Sequence, residues 1–270
     1  MIPIGDSPRA SITPWVNYAF IAVNFAVFLY TLTLSTAVPL NRLDYQRELV
    51  QQTNGTCYGF VVAPNDVGRF FCRYSYQPRE FLDNVRGESK VPEPSRAEVL
   101  LSLVTAMFLH AGWLHIVGNM LFLWVFGDNV EDRLGHFGYI VFYLVAGVAA
   151  TLTQTVVDTA SIIPNVGASG AVAGVLGAYL VCYPRATVRI VIPFFPLVFL
   201  PFAVPAVFMI GLWFVQNLLS GFATIGVAAG APDTSVAFFA HIGGFVFGVL
   251  TAFLFRRGRV RRPPRFPRAA

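Results

Sequence analysis

The sequence predicts an all-α membrane protein with six spanning helices and a long outer insert between the first and second. Three observations carry that prediction. The 270-residue chain is 56% apolar and only 12% charged, about half the charged fraction usual in soluble domains. Apolar runs near or above the roughly 18 residues that cross hydrocarbon recur along it. Arginines collect at one set of run ends, seven of them (Arg256, Arg257, Arg259, Arg261, Arg262, Arg265, Arg268) after the last run with no acidic residue among them. A soluble core is excluded, and residues 1–270 read as a single membrane domain.

The runs suggest spans at Trp15–Ala37, Trp113–Phe126, Phe137–Val156, Ala168–Tyr183, Pro196–Leu219 and Val236–Phe255. The first is too long for the apolar region of a cleavable signal peptide. The second and fourth reach only about 21–24 Å, against a hydrocarbon core near 30 Å, so either they are little tilted and recessed or their ends lie below the surface in a cavity. Arg185 and Arg189 follow the fourth span and the basic tail, 256–270, follows the sixth, whereas the loops at Asp158 and Asp233 carry no Lys or Arg. This asymmetry places both termini in the cytoplasm. The tail is read as an orientation anchor at the lipid bilayer in preference to a nucleic-acid arm, so no nucleic-acid partner is expected.

The insert, 38–95, is polar and falls on the outer side. There Cys57 and Cys72 are expected to form a disulfide, against the alternative of two free thiols. Cys182 lies in an apolar span and reads as a packing residue. From Ala97 to Leu109 the chain is apolar but short, and is expected to dip into the outer leaflet before the second span.

Candidate chemistry sits at the outer helix ends. Ser169 opens the fourth span after the breaker Pro164, and a helix N-terminus offers free N–H groups to a developing oxyanion. Its dull alternative is a capping serine. Gly170 and Gly174, and likewise Ala173 and Gly177, stand four apart, the small-residue spacing that lets helices approach to backbone contact. His241, Gly244, Gly248 and Ala252 share one face of the sixth span, so two glycine faces pressed together would bring imidazole to hydroxyl. In the second span, His115 and Asn119 share a face as candidate oxyanion donors, and His110 and Gly167 are candidates for positioning water or substrate. Polar glue between helices, or a metal held by His110, His115 and His241, are the competing readings. The metal is disfavoured because no acidic or thiol group supports it, and no cofactor is expected. No carboxylate is placed to orient His241, so the expectation is a Ser–His dyad.

Taken together these motifs resemble the rhomboid family of intramembrane serine proteases. The resemblance covers about Trp15 to Phe255 apart from the insert. It rests on His110-Ala111-Gly112-Trp113-Leu114-His115 with Asn119, on Glu131 and Arg133 in Glu-Asp-Arg-Leu-Gly, on Gly167-Ala168-Ser169-Gly170, and on His241 with Gly244 and Gly248. It implies a six-helix rhomboid-like bundle in which Ser169 is the nucleophile and His241 the general base. His115, Asn119 and the Ser169 backbone N–H would form the oxyanion site. Substrates would be single-pass transmembrane proteins, and the setting a bacterial plasma membrane with the site facing outward. The chain departs from the family at Ala173, where an aromatic residue is common, and at Leu101-Ser102, where Trp-Arg is common. A non-catalytic relative that binds or escorts transmembrane clients is the alternative; a transporter is disfavoured because no inverted repeat appears.

Overall fold

The computed structural model describes residues 2–36, 65–88, 95–194, 198–225 and 236–256. Most of the insert, Cys57 included, the loop 226–235 with Asp233, and the basic tail from 257 onward lie outside the described residues. In chain order the elements are β1 (Ile2–Ser7), α1 (Trp15–Thr33), α2 (Asp66–Tyr74), α3 (Pro78–Arg86), α4 (Arg96–Thr105), a 3-10 turn (Ala106–Phe108), α5 (Trp113–Val157), α6 (Ser169–Cys182), β2 (Thr187–Phe194), β3 (Val198–Pro205), α7 (Ala206–Thr224) and α8 (Phe238–Phe255).

By length and composition α1, α5, α7 and α8 are able to cross a membrane. Helix α5 has 45 residues, about 68 Å if straight, and it does not run straight. Gly135 takes φ 74° and ψ 164°, a left-handed conformation that glycine adopts without steric cost. Beyond it the second limb folds back on the first. A Cβ added at Gly127 would meet the Tyr139 hydroxyl at 2.6 Å, although residues twelve apart on a straight helix are separated by about 18 Å. Among the described residues, the two limbs of α5, the short α6 and the other three long helices make six apolar rods. The first limb continues through 127–134 in place of the expected loop, so the second span is longer than its apolar run suggested.

Helix α6 is the centre of the bundle, with every residue from Gly170 to Tyr179 buried. Its small residues make this possible. Cβ atoms added at Gly170 and Gly174 would stand 2.6 and 2.7 Å from the Ala150 and Ala146 methyls of α5. On another side the Gly170 and Gly174 carbonyls press on Gly244 and Gly248 of α8, where any side chain would overlap them. In lipid such close packing, and not exclusion of water, holds helices together.

At the opposite end from Ser169, β1, β2 and β3 form an antiparallel sheet in that order. The sheet corrects the expected fifth span, since Pro196–Leu219 contains strand as far as Pro205 and helix only from Ala206. Proline cannot sit inside a helix without losing a hydrogen bond and clashing. Pro201 instead occupies edge strand β3, where a missing N–H is tolerated. Val188 and Ile190 of β2 join the core.

The same end is tied together by polar contacts. Glu131 accepts from the Val16 and Asn17 backbone N–H groups (3.1 and 2.7 Å), satisfying the start of α1. Arg133 donates to the Arg256 carbonyl at the end of α8 (3.2 Å) and stacks on Tyr183. Asp6 accepts from the Tyr179 hydroxyl (2.5 Å) and the Asn129 amide (2.8 Å). Glu131 and Arg133 are therefore fasteners, and both ends of the described chain lie on one side. His136 pairs with Glu131 at the same end.

Candidate functional site

Ser169 is the first residue of α6, and the loop before it is pinned. Asn165 and Tyr76 exchange two backbone hydrogen bonds (2.7 and 3.2 Å), Arg79 N–H reaches the Ser161 carbonyl (3.0 Å), and Gly167 N–H reaches the Ala106 carbonyl (2.9 Å). The insert thus braces the serine loop. Helix α4, with a Ser95–Glu98 capping box, and the 3-10 turn after it occupy the segment expected to dip into the outer leaflet. Within this frame Gly167 has φ 119°, and a Cβ there would meet His115 Nε2 at 2.6 Å and Asn119 Nδ2 at 3.7 Å. Glycine therefore lets imidazole and amide close in beside the serine.

His241 lies in the first turn of α8, and its Nε2 is 2.8 Å from Ser169 Oγ. The glycine seam explains the distance, because Gly170 and Gly244 touch one turn or less from each side chain. The other ring nitrogen, Nδ1, is 2.6 Å from Asn217 Oδ1 of α7. Asn217 was not foreseen, and the only signal for it was an amide within an apolar helix, where polar groups are costly and usually functional. Trp213, one turn earlier on α7, lies over the imidazole with ring centroids 5.9 Å apart, and Phe238 approaches edge-on at 6.4 Å. At Ala173, buried in α6, there is no aromatic; the rings beside His241 come from α7 and α8.

Ser169, His241, His115 and Asn119 line one cavity of about 780 Å³. Its remaining walls are mostly apolar: Leu114 and Phe122 of α5, Val172 and Leu176 of α6, Trp213 of α7, and Val67 and Phe71 of α2. Asn119 Nδ2 is buried and lacks a hydrogen-bond partner, a donor left available on the cavity wall. His110 is less close than expected, buried behind His115 with ring centroids 5.0 Å apart. Among the described residues no three His, Cys, Asp or Glu side chains converge as a metal set. Cys72 is buried and disulfide-bonded, Cys182 is free, and the Cys57 part of the expected pairing lies outside the described residues. Chemically, the cavity offers a hydroxyl on an imidazole, a spare amide donor, and free N–H groups at a helix start.

A family model described as the Rhomboid domain matches residues 97–258. The chain is 29% identical over 172 residues to the chloroplastic Rhomboid-like protein 11 of Arabidopsis thaliana, covering 63% of this chain and 58% of that one. It is 26% identical over 252 residues to RHOMBOID-like protein 1 of the same plant, 90% and 53% of the two chains. Rhomboid protease GluP of Bacillus subtilis is 40% identical over 78 residues, 29% and 15% of the two. The chain spans roughly half the length of the first two relatives. Mitochondrial and chloroplastic names occur beside the bacterial one, so the similarity supports a multi-pass integral membrane protein and not a bacterial plasma membrane in particular.

Proposed function

Since the chain belongs to the rhomboid family, we propose that it is an intramembrane serine endopeptidase that cuts single-pass transmembrane proteins with a Ser–His dyad. The observation that carries this reading is the 2.8 Å approach of Ser169 Oγ to His241 Nε2 in a cavity that also holds His115 and Asn119. Ser169 attacks the scissile carbonyl carbon while His241 Nε2 takes its proton. Asn119 Nδ2, His115 and the Ser169 backbone N–H receive the oxyanion. Collapse expels the amine, which takes the proton back from His241, and water then releases the acyl group by the same steps. The apolar walls suit a transmembrane segment locally unwound to expose its peptide bond. Both termini are assigned to the arginine-rich side and the cavity to the other.

The rival reading, a protein that holds transmembrane clients without cutting them, uses the same cavity. Purified protein in liposomes with a tagged single-pass substrate distinguishes the two. Cleavage and fluorophosphonate labelling, both lost in Ser169→Ala, are expected; cleavage retained by that variant, or a wild-type protein that neither cuts nor labels, overturns the proposal.

A further inference from the structure

We infer that Asn217 is the positioning residue for His241, selecting the tautomer in which Nδ1 carries the proton and Nε2 faces Ser169. The inference rests on the protease reading above. The Asn217 amide is oriented by its own helix, since Nδ2 donates to the Trp213 carbonyl one turn back at 2.8 Å. With the amide nitrogen so engaged, Oδ1 is the atom facing His241 Nδ1 at 2.6 Å. An amide oxygen accepts and cannot donate, so the proton on that bond belongs to Nδ1. Nε2 is then an unprotonated acceptor for the Ser169 hydroxyl at 2.8 Å, the state a general base requires. The opposite tautomer would set two acceptors against each other at Nδ1 and present an N–H to the serine. A neutral amide thus takes, among the described residues, the part a buried acid plays in a three-residue relay.

Helix α7 supplies this control from outside the glycine seam. Trp213 and Asn217 are four residues apart on one face, so ring and amide reach the imidazole together. Among the described residues, Ser169 of α6 and Phe238 of its own helix also touch His241, and His115 of α5 is a titratable group that acts on it electrostatically.

The test compares Asn217→Leu, which keeps the volume and removes the acceptor, with Asn217→Asp, which keeps the acceptor and adds charge. In liposomes with the tagged substrate, Asn217→Leu is expected to lower kcat about 10- to 100-fold with KM within about twofold, by analogy with residues that orient a metal-bound imidazole. Asn217→Asp is expected to recover most of that loss and move the acid limb of the kcat profile to higher pH, because a carboxylate favours imidazolium. Nitrogen-15 spectra of histidine-labelled protein are expected to show an Nδ1–H signal for His241 in the wild type and a tautomer mixture in Asn217→Leu. Wild-type kcat and an unmoved tautomer in Asn217→Leu would overturn the inference. So would an Asn217→Asp variant as slow as the leucine variant with an unshifted profile, which would reduce Asn217 to packing. A wild type without Ser169-dependent labelling fails the protease reading instead, and the spectra still judge the tautomer.

Discussion

Substituting Gly244 with alanine puts one methyl group into the contact between α6 and α8. The added Cβ would stand 3.0 Å from the Gly170 carbonyl carbon and closer still to its oxygen. Non-bonded heavy atoms rest at about 3.5–4.0 Å, and the oxygen lies well inside that range, so the helices must part by roughly 1 Å or more. The obstructing atoms are backbone, which cannot swing aside. Gly170 follows Ser169 directly and Gly244 lies one turn from His241, so the opening falls on the hydrogen bond now 2.8 Å long and stretches it to about 3.8 Å or more, beyond the limit of a real bond. A displacement of that size costs about 100-fold in rate, and overpacking of this kind costs about 1–3 kcal/mol of stability. The comparison variant is Gly211→Ala on α7, where an added Cβ meets nothing within 4 Å and activity is expected within twofold of wild type. Initial cleavage rates of a tagged transmembrane substrate in liposomes, with melting followed in parallel, measure both. A folded Gly244→Ala protein cutting at the wild-type rate would refute the idea that backbone contact sets the Ser169–His241 spacing.

Three further outcomes follow from the geometry. Asn119→Ala removes the unpartnered amide donor and is expected to lower kcat about 10²–10³-fold with little change in KM, read from the same cleavage assay. Phe71→Ala shortens a cavity wall supplied by α2 and is expected to raise KM severalfold while leaving fluorophosphonate labelling of Ser169 intact. Glu80 of α3 is buried, one carboxylate oxygen lacks a partner, and burial pushes its pKa from 4.5 up to about 7. The folded state therefore binds more protons than the unfolded between those values, and stability falls as pH rises through that window. Glu80→Gln is expected to raise stability by up to about 3 kcal/mol at pH 8 and by nothing at pH 4, measured as the shift in melting temperature at each pH.

The contact between Ser169 and His241 was legible because glycines at helical spacing leave a pattern on both spans, and each pattern ends at a polar residue. Helix boundaries were less legible. Hydropathy merges Val198–Pro205 with the helix after it, since the strand's residues are as apolar as those of a span; the prolines at 201 and 205 were the signal for separating them. The stretch between the expected second and third spans reads as polar, yet Glu131 and Arg133 in it cap α1 and α8, so polarity there marks helix ends meeting and not an open turn. The bracing of the serine loop by Tyr76 joins segments nearly ninety residues apart, and no local pattern reports such a pairing. Asn217 was missed for a related reason: its meaning depends on a ring contributed by another helix.

The interlocked glycines of α6 and α8 have a mechanical consequence. With Gly170 and Gly174 carbonyls lodged against Gly244 and Gly248, sliding one rod along the other by a single 1.5 Å step meets main-chain atoms at two levels simultaneously. The pair behaves as a keyed shaft. When bilayer thickness changes, the two are constrained to tilt as a unit, carrying hydroxyl and imidazole along without altering their separation.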